Sequence, residues 1–252
     1  MARRRRSNRR SNRGRFAFLY RLLTFVVICG AIVAALALFF KVETIEVEGA
    51  ERYTAEEVIA ASGVSVGDNL FLMDKYEVAS RIHSTLNYVE TVQISRSLPS
   101  TLRITVAESR SVVAVEQEDL VWLISGTGKI VDTVTIDAGK PYAHVTGLTL
   151  REPRLGRTIE ADGDNDRACR TLVDLLERLR SKEMLGDVQE IHLEDASHIT
   201  LRYLNRFNVV IPWDADMDYK LNYLLAVVEK LENNEHGTIN MTQDRKVNFI
   251  PD

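Results

Sequence analysis

The sequence predicts an α+β protein. One apolar helix lies near the N-terminus, a β-α-α-β-β unit follows, and a mixed α+β unit on a curved antiparallel sheet completes it. Three observations carry this. Residues 22–40, LLTFVVICGAIVAALALFF, contain no charge and no proline. Residues 42–108 pass from alternating to helical and back to alternating apolar spacing. From Val112 onward, short apolar runs between turn residues surround two leucine-rich helical stretches.

The apolar run comes first. A hydrocarbon core of ~30 Å takes about 20 apolar residues as a helix, and the run is apolar all round, unlike an amphipathic core helix. A cleaved signal is the rival reading, since Ala35-Leu36-Ala37 has small-x-small spacing. Apolar residues nevertheless continue through Phe40, past the usual length of such a segment. We therefore read 22–40 as a transmembrane helix flanked by Arg21 and Lys41. Residues 1–21 carry nine arginines and no acid, so the rest of the chain sums to −13. Arginine-rich flanks stay in the cytoplasm, which puts residues 41–252 outside. The tail suits anionic lipid, at ~1 kcal/mol per arginine near the surface; nucleic-acid binding is a minor alternative. Cys29 lies in the span and Cys169 stands alone in the body, so the body cannot form an internal disulfide.

Residues 42–49 alternate as a strand, with Ile45 and Val47 on one face. Thr54 and Glu57 have capping-box spacing for a helix that Gly63 stops. Asp74 and Glu77 repeat the arrangement before a second helix, whose inner stripe reads Tyr76, Ala79, Ile82 and His83. Strands around Tyr88–Ile94 and Leu102–Val106 form a hairpin turned at Leu98-Pro99-Ser100. The hairpin and the first strand make a three-stranded sheet covered on one face by two helices. Residues 109–111 mark the boundary. Beyond it come strands at 112–115, 120–124, 130–134 and 142–145 and a helix at 164–182. Strands follow at 188–193, 199–204 and 207–211. A helix at 216–231 points Leu221, Leu224, Leu225, Val228 and Leu231 inward. The chain closes with strands at 238–242 and 246–250, joined by Gln243-Asp244-Arg245.

No stretch demands chemistry. Ser125-Gly126-Thr127-Gly128-Lys129 resembles a phosphate loop, but Leu123 stands where its first glycine belongs and Ile130 where its Ser/Thr belongs. A hairpin turn explains it. Asp162-Gly163-Asp164-Asn165-Asp166 opens like a calcium loop, yet Arg167 and Val173 occupy the glycine and glutamate positions; acids favouring a helix N-terminus explain it. His192, Asp195 and His198 fall on strand and turn, which scatters them. His83 and His236 read as core-edge or surface residues. Cys169 lies on a leucine-rich helix and reads as packed. We expect no catalytic residue, cofactor or metal and no small-molecule substrate.

Val47-Glu48-Gly49, Gly67-Asp68-Asn69-Leu70 and the hairpin Val92-x-Ile94-x-Arg96-x-Leu98-Pro99-x-x-Leu102-x-Ile104-x-Val106-x-Glu108, behind a basic tail and one span, resemble the FtsQ/DivIB family of bacterial cell-division proteins. The first outer unit looks like a POTRA domain, and Val145-Thr146-Gly147-Leu148 is similar to a motif of the family's second, β-type domain. Ser111 stands near a usual proline, and Ile239-Asn240-Met241-Thr242 departs from the usual penultimate strand. The resemblance implies four parts: a cytoplasmic tail (1–21), the transmembrane helix (22–40), a POTRA-like domain (41–110) and a β-type domain (111–252). It implies a non-catalytic scaffold in the bacterial cytoplasmic membrane at the division septum. Such a scaffold binds partners of the FtsB/DivIC and FtsL types and helps control septal peptidoglycan synthesis. A membrane-anchored envelope enzyme acting on peptidoglycan or protein is the alternative. An outward sensor would need an inner module that 21 mostly basic residues do not provide.

The partner site is expected on the last strand, Lys246-Val247-Asn248-Phe249-Ile250. Alternation puts Val247 and Phe249 toward the core and Lys246, Asn248 and Ile250 outward. Sheet edges offer unpaired main-chain groups to another strand, and the resemblance implies that this edge receives one.

Overall fold

The computed structural model describes residues 13–110, 112–195, 197–243 and 246–252. Residues 1–12 of the basic tail, Ser111 at the expected boundary, and Asp244 and Arg245 of the expected last turn lie outside the described residues.

Helix α1 (Arg13–Phe39) has 27 residues, about 40 Å at ~1.5 Å per residue. It contains a stretch, Leu19–Leu36, long and apolar enough to cross a membrane and unburied by the rest of the chain. It starts upstream of Arg21, so this exposed arginine lies within the helix rather than at its beginning.

The β-α-α-β-β unit comprises β1 (Thr44–Glu48), α2 (Ala55–Ser62), α3 (Lys75–Thr85), β2 (Val89–Ser97) and β3 (Thr101–Glu108). Its sheet order is β1-β3-β2, with β1 parallel and β2 antiparallel to β3. The central strand therefore buries Leu102, Ile104 and Val106 against Val58, Leu70, Val78 and Ile82. Thr54 and Glu57 close the capping box of α2, and Gly63 ends it in the left-handed conformation. Asp74 caps α3 by accepting from the N–H groups of Tyr76 and Glu77, but the Glu77 carboxylate turns to Arg81 at 2.6 Å instead of closing a box. The buried positions of α3 are Val78 and Ile82; Tyr76 faces solvent, against the inward stripe read from sequence, because the second helical turn supplies the contact. Gly49 sits at φ +80°, where a Cβ would lie 2.2 Å from the Val106 carbonyl oxygen. Only glycine allows the end of β1 that close to β3.

The second sheet has nine strands in the order β12-β11-β10-β9-β8-β7-β4-β5-β6. In chain order these are β4 (Val112–Gln117), β5 (Leu120–Ser125), β6 (Ile130–Val134), β7 (Ala143–Thr146), β8 (Val188–His192), β9 (His198–Tyr203), β10 (Phe207–Pro212), β11 (Gly237–Asn240) and β12 (Asn248–Pro251). The α+β class holds, but the sheet is mixed rather than antiparallel throughout: β4–β7, β7–β8 and β10–β11 are parallel. Each parallel pair is joined by a connection containing a helix, as parallel strands require. These are α4 (Ile136–Gly139), α5 (Asp164–Ser181) and α6 (Met217–Val228), respectively between β6 and β7, β7 and β8, and β10 and β11. Helix α5 buries Ala168, Leu172, Leu175, Leu176 and Leu179. Helix α6 buries Met217, Lys220, Leu221 and Leu224, while Leu225, expected inward, is exposed because it lies a further ~100° round the helix.

The two sheets meet through side chains. Tyr88 joins a cluster with Ala114, Val121, Leu123 and Val131. Arg180 of α5 pairs with Glu90 of β2 at 2.9 Å. Lys129 Nζ donates to the His83 carbonyl at 3.0 Å, and burial lowers its pKa.

Candidate functional site

Strand β12 ends the nine-stranded sheet and, among the described residues, pairs with β11 alone, in the register Asn240↔Asn248, Ile239↔Phe249, Thr238↔Ile250 and Gly237↔Pro251. It begins two residues later than the alternation suggested, so Lys246 and Val247 lead into the strand and Pro251 belongs to it. The faces are as expected. Phe249 meets Phe207 edge-on with centroids 6.1 Å apart, and Val247 packs against the same core. Lys246, Asn248 and Ile250 face outward.

Main-chain direction follows from the register. The Asp252 N–H donates to the His236 carbonyl at 3.2 Å. In an antiparallel pair such contacts recur at every second residue, which turns Ile250 and Asn248 toward β11. Gly237 agrees independently: a Cβ there would strike the Ile250 carbonyl oxygen at 2.2 Å. Val247, Phe249 and Pro251 thus direct their main-chain groups to the open side. Proline at such a position gives up no ladder bond. The opposite end of the sheet is different. At the start of β6, Ile130 donates to the Arg157 carbonyl and accepts from the Gly156 N–H, both at 2.8 Å.

A residue to which the sequence assigned no role at the edge holds it in place. Lys220 on α6 is buried, and its Nζ donates to the carbonyls of Met241 at 2.7 Å and Gln243 at 3.0 Å. It pins the chain between β11 and β12. A lysine on the apolar side of an amphipathic helix was the available signal.

The membrane-flanking pair is exposed, and Lys41 forms an isolated antiparallel bridge with Asn69. Residues 125–129 form the turn between β5 and β6, closed by the Ser125 N–H to the Lys129 carbonyl at 2.9 Å. The N-cap of α5 is Gly163, which has no side chain to cap with; Asp162 pairs with Arg151, and Asp166 with Arg170. His192 contacts Thr146 and Glu190, whereas His198 contacts Asp195 and Ser197. No group of three potential metal ligands forms among the described residues. A cleft of about 760 Å³ beside α5 contains Cys169, Arg151, Glu160 and Asp162. Arg151 is engaged by Glu160 and Asp162, and burial pushes the Cys169 thiol up, opposite to what a nucleophilic thiolate needs.

The chain is similar to known proteins over most of its length. Residues 40–109 match the family model for the FtsQ-type POTRA domain. Over 208 residues the chain is 24% identical to the cell division protein DivIB of Clostridium tetani, covering 81% of this chain and 77% of that protein. It is 26% identical to the cell division protein FtsQ of Geotalea daltonii over 77% of this chain and 69% of the relative. The cell division protein FtsQ of Corynebacterium glutamicum is 35% identical over 107 residues, 41% of this chain and 48% of the relative. With residues 40–109 matched to the FtsQ-type POTRA domain behind one apolar helix, and relatives that extend through the mixed sheet, the chain is similar to FtsQ and DivIB cell division proteins over 77–81% of its length.

Proposed function

We propose that this chain is a single-span, non-catalytic scaffold of the bacterial division machinery. Its basic tail (1–21) lies in the cytoplasm, residues 22–40 cross the membrane, and the domains at 41–110 and 111–252 face outward. Along β12 it captures a strand from a partner of the FtsB/DivIC type, with a partner of the FtsL type in the same assembly, and so helps control septal peptidoglycan synthesis. The observation that carries this reading is the open side of β12. Val247 and Phe249 present donors and acceptors there, on a strand that the core and Lys220 hold in position. Main-chain bonding gives affinity to an added strand, and the outward Asn248 and Ile250 give it selectivity. Removing one outward donor tests this, with Val247→Ala as the control for the side chain that packs on the core. Val247→Pro is expected to lose capture of the partner in pull-downs from crosslinked cells, whereas Val247→Ala captures it with a similar small fall in unfolding midpoint. Alanine at Lys246, Phe249 and Ile250 extends the scan. Folded variants that all capture the partner normally would remove β12 as the site. Protease applied to intact spheroplasts should digest 42–252; a protected body would refute the orientation.

A further inference from the structure

The connection between α2 and α3 is built onto the end of the membrane helix. The Leu70 N–H donates to the Phe40 carbonyl at 2.9 Å, Gly67 N–H to the Val42 carbonyl at 2.8 Å, and Val42 N–H to the Asp68 carbonyl at 2.7 Å. Asn69 Nδ2 donates to the Leu36 carbonyl at 3.0 Å, one of the acceptors that a helix C-terminus leaves unpaired. The same amide's Oδ1 accepts from the N–H groups of Phe71 and Leu72, so one side chain both caps the span and shapes the loop. The Phe71 ring meets Phe40 edge-on at 5.0 Å. The loop's depth relative to the helix is therefore fixed.

Its outer surface is apolar. Val66 is 71% exposed, Phe71 41% and Leu72 78%, and Tyr76 on the following turn is 88% exposed. Isolated exposed apolar residues need no explanation, but these four fall within eleven positions and adjoin the exposed Leu38 and Phe39 of the helix. The nearby acids are engaged by main-chain groups: Asp68 accepts from the Ser65 N–H, and Asp74 caps α3. Lys41, bridged to Asn69 of the loop, and Lys75, at the start of α3, supply cations next to it.

We propose that residues 66–72 insert into the interfacial layer of the lipid leaflet on the body's side. Val66, Phe71 and Leu72 contact acyl chains, and Tyr76 sits at the headgroups, as aromatic residues do at bilayer boundaries. The insertion orients the first domain on the membrane. The occupant is lipid because the patch is continuous with the lipid-facing surface of α1. The proposal rests on the reading of α1 as a membrane span.

The test uses the full chain in phosphatidylethanolamine–phosphatidylglycerol vesicles, with photoreactive benzoylphenylalanine placed singly at Val33, Val66, Leu72 or Asp119. Mass spectrometry reads lipid adducts after illumination. Adducts are expected at 33, 66 and 72 and not at the distant turn position 119. Adduct at 33 without adduct at 66 and 72 would overturn the insertion and leave the span intact. No adduct at 33 would overturn both. Each substituted side chain is exposed, so none of the four probes disturbs the core.

Discussion

The Tyr88 hydroxyl, at the start of the POTRA hairpin, donates to Asp132 Oδ2 on β6 of the nine-stranded sheet at 3.1 Å. One hydrogen bond thus joins the two sheets beside the apolar cluster that they share. Tyr88→Phe and Asp132→Asn should each lower stability. A double-mutant cycle by urea denaturation should return a coupling of about 0.5–1.5 kcal/mol. A coupling near zero would mean that the sheets are held by the cluster and the Glu90–Arg180 pair without this bond.

Two buried phenols link stability to alkaline pH. Tyr203 is pushed up to about 12, first by burial and then by Asp187, and Tyr88 is raised by burial and by Asp132. Below the ordinary tyrosine value of about 10 both phenols are protonated in folded and unfolded chains, so they add no pH dependence. As pH rises from there toward about 12, the unfolded chain loses these protons first and the folded state is disfavoured. The urea midpoint should fall between pH 9 and 11, and less so in Tyr203→Phe. Equal slopes in both proteins would exclude Tyr203 as a contributor.

Lys220→Met keeps the stem of the side chain and deletes its ammonium. The carbonyls of Met241 and Gln243 then lose their donor, at a cost of about 1–3 kcal/mol where an acceptor is left buried. Amide exchange in β11 and β12 should accelerate more than in β9. Uniform acceleration across the sheet would show that Lys220 supports the fold generally rather than the edge.

Glu108 shows what a motif residue does. Its carboxylate accepts from the N–H groups of Glu51, Arg52 and Tyr53 at 3.2, 2.6 and 3.2 Å, tying the end of β3 to the turn before α2. Glu108→Ala should destabilise the protein by about 1–3 kcal/mol and Glu108→Gln by less, since an acceptor remains. Thermal unfolding of the two variants separates these outcomes; an unchanged midpoint in Glu108→Ala would reject the role.

Local signals in this chain were readable because they are local. The capping box at Thr54, the stop at Gly63 and the alternation of Leu102, Ile104 and Val106 each involve residues that contact within a few positions or share one face. Alternation also placed Val247 and Phe249 inward. It cannot choose strand neighbours, which is why the parallel β10–β11 pair and the late start of β12 came only with the structure. Asn248 shows the consequence. Its N–H points to β11, so Asn248→Pro would break the fold rather than report on capture, and Val247 is the informative position. Lys220 and Tyr88 owe their roles to partners 21 and 44 residues away, a distance at which spacing carries no signal.

The contrast between the two ends of the large sheet limits self-assembly. A sheet open at both ends can add copies head to tail and grow into a filament. Here the segment at 156–157 already occupies the start of β6, so a β12 edge docking there on a second copy would have to displace it. Two β12 edges can instead pair with each other, and such a pairing closes on itself around a twofold axis and goes no further. Within this sheet, covering one end favours a closed pair over a growing filament.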